Sequence, residues 1–431
     1  MAFVISEKFG GSSQPASEHL TEFFSVNKRS QEADWLCTGL SIDGEGMRGP
    51  IPALMLEHLE NVAKRPLYKM FDYIGGTSVG GILGMGIVAT YDGQQPLCQM
   101  SELVKLFSEH GQKIFPSTGV LETFKNPAGL LQSQYNPKPL ESLLKGYFQD
   151  SVLKDVLTNI MVTGVRHGAN KAFVFDSQNA VLDSSHNFYL RSMGRATSAA
   201  PTYFPSAQIW NIDRTKHYTI NDGGMGLNNP TPLVCARFSQ MAAERHLNAN
   251  HFFTLSLGTG DMMPSYVPSV NAEIGGWLIK GGGTIIEAAM ESPMHYVGEY
   301  IKQQFQGKCY RLQPELFWGW EDSYQNPPNT ARKASIAEVP LDKAEPKYLK
   351  LYEVAAKHRA WKAFGTKDDP SDLVRWFQEN TDRKHEPVLS LGNEWEPYQR
   401  SAQKRQNSTT EWRYSNQSNS MSNTFVQNVD P

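Results

Sequence analysis

The stretch FDYIGGTSVGGILGMGIVATY, from Phe71 to Tyr91, decides the fold. Phe71 to Gly75 carries Phe71, Tyr73 and Ile74 and reads as a short buried strand. Gly76-Thr77-Ser78-Val79-Gly80 then breaks the run, and a helix of small residues is expected from there to about Tyr91. A strand that turns sharply into a helix through G-x-S-x-G is a nucleophile elbow, with the Ser78 hydroxyl lifted above the sheet. Gly76 and Gly80 permit the close backbone approach that the turn demands, and Thr77 and Val79 complete it. The helix N-terminus at Ser78 favours developing negative charge. A turn without chemistry has the same local pattern, so this stretch speaks first to fold.

The same pattern stands one unit upstream. Trp35 to Ile42 is an apolar strand that ends in Asp43-Gly44-Glu45-Gly46-Met47-Arg48-Gly49, and a helix is expected from Pro50 to Ala63. Its prolines lie in the first turn, where backbone N–H groups have no helical partner. Leu54, Leu56, Leu59 and Val62 give it one apolar face. Strand, glycine turn and helix, twice over, indicate an α/β fold with a parallel sheet and helices on its faces. Gly44, Gly46 and Gly49 also match G-x-G-x-x-G, the dinucleotide-binding pattern, with Glu57 and Glu60 near the place of a ribose-binding acid. A glycine-rich turn equally supplies unobstructed N–H donors to an oxyanion. The two turns are one βαβ unit apart and fall at adjacent C-terminal strand edges.

Further strands are expected at Asn159 to Val165, Lys171 to Asp176, His217 to Asn221 and Phe252 to Leu257, and helices near Ser17 to Val26, Ile285 to Phe305 and Lys347 to Phe364. Asn221-Asp222-Gly223-Gly224 follows the strand at His217. A serine hydroxyl needs a base within hydrogen-bond reach, and an acid on a glycine turn at a strand end can serve, although Asp-Gly turns are common. Of the eleven histidines, His251 and His295 follow in the order of a Ser-Asp-His triad, but neither stands on a glycine loop at a strand end.

The 431 residues are 40% hydrophobic and 20% charged, enough for a large core. A net charge of -3 argues against nucleic-acid binding through a broad basic field. Cys37, Cys98, Cys235 and Cys309 are far apart, which excludes zinc spacing and suits reduced, cytosolic-type thiols. Met1 to Gly11 lacks a secretory apolar run. The most apolar stretch, Ile82 to Val88, is too short to cross a bilayer, so a cytoplasmic protein peripheral to membranes is expected. Phe317-Trp318-Gly319-Trp320 and the loop Pro116 to Leu131 are candidate lipid-facing segments, with ordinary packing as the competing account. From about Gln399 the chain is polar and expected to be disordered. The expected organisation is an extension over 1–34, a main domain over 35–385 and a polar tail over 386–431.

Taken together, these motifs resemble the patatin-like phospholipase family. D-G-E-G-M-R-G at Asp43 to Gly49, G-T-S-V-G-G at Gly76 to Gly81 and D-G-G at Asp222 to Gly224 occur in the family order. A-T-S-A-A-P-T-Y-F at Ala196 to Phe204, Asn228-Asn229-Pro230 and L-S-L-G-T-G at Leu255 to Gly260 are similar too, and the likeness spans Trp35 to His385. The resemblance implies a three-layer α/β fold with a mostly parallel central sheet between helices. It implies a Ser78–Asp222 dyad without cofactor or metal, and an oxyanion hole in the loop of Gly44, Glu45, Gly46, Arg48 and Gly49, chiefly the amides around Glu45 and Gly46. Gly223 and Gly224 would form the turn behind the acid. Arg48 would steady the loop, attract an anionic head group or pair with a surface acid. The implied activity is lipid acyl hydrolysis of the phospholipase A or lysophospholipase type. Its partners would be phospholipid or another acyl lipid, a transient membrane surface and an activating protein of unknown identity. Glu45 departs from the family's glycine. A positive φ there would strain it, and its charge would oppose an oxyanion nearby. The alternatives are a patatin-fold protein silent until a partner binds, or a non-catalytic storage or binding protein.

Overall fold

Cys37–Ile42 and Phe252–Leu257 are buried along their whole length, as strands covered on both faces must be. They lie side by side in one mixed sheet. The computed structural model describes residues 37–116, 133–244, 252–260, 283–305, 307–316 and 342–380. Its strands are β1 (Cys37–Ile42), β2 (Tyr73–Gly76), β3 (Asn159–Arg166), β4 (Lys171–Asp176), β5 (Ala207–Trp210), β6 (His217–Asp222), β7 (Phe252–Leu257) and β8 (Cys309–Leu312). Its longer helices are α1 (Pro50–Ala63), α2 (Val79–Val88), α3 (Met100–Ser108), α4 (Lys138–Phe148), α5 (Leu190–Thr197), α6 (Thr231–Glu244), α7 (Gly283–Gln304), α8 (Pro346–Phe364) and α9 (Asp372–Asn380).

β3, β2, β1, β7 and β8 run parallel in that order, and β4, β6 and β5 add antiparallel pairings beyond β3. The fold is therefore α/β with a mostly parallel sheet, as expected. The two faces of β1 differ in chemistry. Leu40 and Ile42 join Ile74, Leu255 and Leu257 in a large apolar core shared with α1, α2, α8 and α9. Residues of the other parity are small or hydroxylated. Gly39 and Gly75 leave room there for Val234 and Phe238 of α6; a Cβ on Gly39 would lie 2.7 Å from Phe238 and one on Gly75 2.4 Å from Val234. Thr231, at the start of α6, donates to Ser41 Oγ (2.9 Å) and lies 2.8 Å from Ser256 Oγ, so the buried hydroxyls of β1 and β7 are satisfied by the helix above them.

One feature of β3 positions the site. Met161 and Val162 pair with Gly75 and Gly76 of β2 on one flank and with Asp176 and Phe175 of β4 on the other. Two residues on, Gly164 pairs with Phe173 of β4 and with Asp222 of β6. A strand has two flanks, so β2 and β6 share one. They run toward each other along it and end at Gly76 and Asp222.

β4, β7 and α1 have the bounds read from the sequence, and β3 and β6 each run one residue further. α2 stops at Val88 instead of Tyr91, because Thr90 leaves the helix to bridge Pro96 around the Asp92-Gly93 turn. The sequence pattern does not predict β5, β8, α5, α6 or α9. The helix expected within Ser17 to Val26, the Trp318 cluster, the loop beyond Pro116 and the polar tail lie outside the described residues. No helix among the described residues is long and apolar enough to cross a membrane. Cys98, Cys235 and Cys309 are free thiols.

Candidate active site

Ser78 stands between β2 and α2 with φ 51° and ψ −121°, a conformation that L residues rarely hold. The surroundings enforce it. A Cβ on Gly76 would lie 2.5 Å from Gly80 O, and one on Gly80 would lie 2.2 Å from Ile42 O, so only glycine lets the turn pack this closely. Thr77 Oγ1 donates to Leu227 O (2.9 Å) and lies 2.7 Å from Thr163 Oγ1 on β3.

The Ser78 hydroxyl donates to Asp222 Oδ2 at 2.8 Å, and both residues are buried. The other carboxylate oxygen accepts the Gly224 N–H at 2.7 Å, which sets the turn formed by Gly223 and Gly224. A Cβ on Gly223 would lie 2.1 Å from Thr163 Oγ1. Burial raises the Asp222 pKa from 3.8 to about 7, against the opposing pull of the Gly224 amide and the Ser78 hydroxyl. Among the described residues no histidine is hydrogen-bonded to either member of the pair. His295 is exposed on α7, and His251 lies outside the described residues.

The glycine turn after β1 differs in detail from expectation. Gly44 N–H donates to Asn228 O (3.1 Å). Arg48 N–H donates to Glu45 O (3.1 Å) and Gly49 N–H to Gly46 O (3.3 Å), closing a 3₁₀ turn over Gly46–Arg48. The amides of Gly44, Arg48 and Gly49 thus have carbonyl partners within the scaffold. Gly46, at φ 53°, is the loop residue that faces the cavity beside Ser78.

Glu45 has φ 145°, the positive-φ case in which a side chain at this position is strained. Its carboxylate does not face the cavity. It is buried behind the loop, 2.7 Å from Arg48 Nη2, and accepts from Thr259 Oγ1 (2.5 Å) and Asn228 Nδ2 (3.3 Å). Arg48 is buried as well and reaches Gly260 O at 3.4 Å. Its partner is the buried Glu45 rather than a surface acid, and the pair lies within the loop.

Two supports were invisible from sequence spacing. Arg311 of β8 holds both carboxylate oxygens of the buried Asp43, at the head of the glycine turn, and donates to Ser256 Oγ at 2.8 Å. Thr197, at the end of α5, accepts the Ser78 N–H at 2.8 Å. Its motif stands out in the sequence, but its partner lies 119 positions away.

A cavity of about 640 Å³, counting its open mouth, adjoins the pair. Ser78, Asp222 and Gly46 supply its polar end, and Ile82, Leu106, Phe107, Leu140, Tyr203 and Phe204 are among its apolar walls. A narrow apolar space ending on a serine–carboxylate pair suits a flexible hydrocarbon chain carrying one polar junction. No cluster of three or more His, Cys, Asp or Glu among the described residues is arranged to hold a metal ion.

Residues 40–234, which contain Gly44 to Gly49, Ser78 and Asp222, match the family described as patatin-like phospholipase. Patatin-17 of Solanum cardiophyllum is 30% identical over 284 residues, covering 62% of this chain and 71% of that protein. Patatin-like protein 3 of Arabidopsis thaliana is 29% identical over 300 residues, covering 62% and 69%. A protein of Solanum tuberosum named probable inactive patatin-3-Kuras 1 is 30% identical over 242 residues, covering 52% and 63%.

Proposed function

We propose, since this chain belongs to the patatin-like phospholipase family, that it is a serine hydrolase of fatty-acyl esters in membrane lipids, of the phospholipase A or lysophospholipase type. The observation that carries the reading is the 2.8 Å hydrogen bond from Ser78 Oγ to Asp222 Oδ2 in the lining of a largely apolar cavity.

The acyl chain lies in the cavity and its ester carbonyl meets Ser78. Asp222, ionised near neutral pH, takes the hydroxyl proton as Ser78 Oγ bonds to the carbonyl carbon. The carbonyl oxygen, now negative, is held by the N–H of Gly46 and that of Val79, the first residue of α2. The tetrahedral centre collapses and the carbon–oxygen bond to the alcohol breaks. Protonated Asp222 returns the proton to the leaving lysolipid or alcohol. Water then gives its proton to Asp222 and attacks the acyl-Ser78 ester, and Ser78 leaves with that proton as the fatty acid departs. The cycle follows serine-hydrolase logic with one carboxylate in the place of histidine and its partner acid. The substrate reaches the site from a membrane that the protein meets transiently at its surface.

The test is hydrolysis of a short-chain chromogenic ester and of phospholipid vesicles, with released fatty acid read by mass spectrometry. Ser78→Ala is expected to abolish both while leaving the melting temperature within a few degrees. Full turnover by Ser78→Ala rejects the assignment. The likeness to a relative named probable inactive favours one second reading, a patatin-fold protein without constitutive activity. Wild-type protein that is silent alone and active with cell extract would place the chain there.

A further inference from the structure

Ser78, with its positive φ, is a conformation that has to be held, and the A-T-S-A-A-P-T-Y-F segment ends α5 right beside it. We infer that Thr197 is the residue that sets the geometry of the Ser78–Asp222 pair, acting on both members at once. Its hydroxyl accepts the Ser78 N–H at 2.8 Å and donates to Thr163 O at 2.7 Å. Its backbone carbonyl accepts the Gly223 N–H at 3.2 Å, one residue past Asp222. Ala199 O, two residues on, accepts the Asp222 N–H at 3.0 Å. One short segment therefore fixes the serine through a side chain and the carboxylate turn through the backbone, with β3 as the common anchor.

Thr197 is fully buried, so no water competes for its hydroxyl. The hydroxyl has one proton, which it gives to Thr163 O; its lone pairs are left for Ser78. That polarity cannot be reversed, because the Ser78 amide is a donor only. Thr197 touches neither substrate nor reacting atoms and is a positioning residue. Serine in its place keeps the hydroxyl and loses a methyl, whereas valine keeps the shape and loses the hydroxyl.

The inference rests on the proposed role of Ser78, and its test separates the two. Thr197→Val and Thr197→Ser are compared with wild type for kcat and KM on a soluble ester, and the Ser78 Oγ–Asp222 distance is read in crystal structures of both variants. Thr197→Val is expected to lower kcat by about 10- to 100-fold with KM within about twofold, since a displacement near 1 Å can cost that much. Its Ser78–Asp222 hydrogen bond is expected to be lost. Thr197→Ser should keep that bond and recover kcat to within about threefold of wild type. An intact pair in Thr197→Val overturns the inference whatever the activity, as do equal losses in both variants, which would mark the methyl as the important group. A wild-type protein with no turnover would count against the proposed hydrolysis, while the crystallographic comparison would still decide the role of Thr197.

Discussion

Arg311 grips Asp43 with both arms of its guanidinium, joining the tip of β8 to the head of the glycine turn after β1. Asp43 is fully buried, and Arg311 is largely so. Forked Arg–carboxylate contacts fix orientation as well as charge.

Removing one partner of such a buried pair takes away the other's counter-charge, typically at a cost of roughly 3–5 kcal/mol. Arg311→Met is therefore expected to lower unfolding stability by about that much in urea titrations. Adding Asp43→Asn should restore part of the loss, because the buried side chain is then neutral. Additive losses in the double variant would show that the two side chains are not coupled.

At Glu45 two effects oppose each other. Glu45→Gly relieves a backbone conformation costing about 1–3 kcal/mol. It also removes the carboxylate that faces the buried Arg48, for roughly 3–5 kcal/mol. The second effect is larger, so Glu45→Gly is expected to destabilise the fold by about 2 kcal/mol in chemical denaturation, although it restores the family's residue. A more stable variant would mean that the ion pair contributes less than the strain.

Asp222 predicts opposite pH dependences for rate and stability. The base must be ionised, so kcat/KM is expected to rise through an apparent pKa near 7. Stability runs the other way. The folded pKa lies above the unfolded one, so the folded state binds more protons between about pH 4 and pH 7, and this contribution is lost as pH rises across that window. The whole loss is on the order of 4 kcal/mol at about 1.4 kcal/mol per pH unit. Asp222→Asn should thus melt higher than wild type at pH 8 and alike at pH 4, by calorimetry. Equal melting temperatures at pH 8 would deny that the carboxylate is held against its desolvation.

Where one element declares itself locally, the sequence was readable. α1 has its prolines and one apolar face, and β7 is an unbroken run closed by Gly258; both have the bounds read for them. β5 and β8 are four residues each, half-exposed or mixed, and carry no run long enough to notice. The members of the site were legible because glycine turns mark Ser78 and Asp222. The direction of β6 was not, since nothing within His217–Asp222 states which neighbour it joins. The same limit hid Arg311, whose partner Asp43 is 268 positions away. The sign of the Glu45 φ is not legible in the sequence, and the direction of its carboxylate depends on Arg48, Thr259 and Asn228 together.

The meeting of β2 and β6 along one flank of β3 sets an order of events during synthesis. A growing chain exposes its serine long before the acid at 222 leaves the ribosome, and until β6 has docked the hydroxyl has no proton acceptor. For the proposed hydrolase this ties the assembly of its serine–carboxylate pair to the closure of a long-range contact, made only when β6 reaches the flank of β3 that β2 already holds.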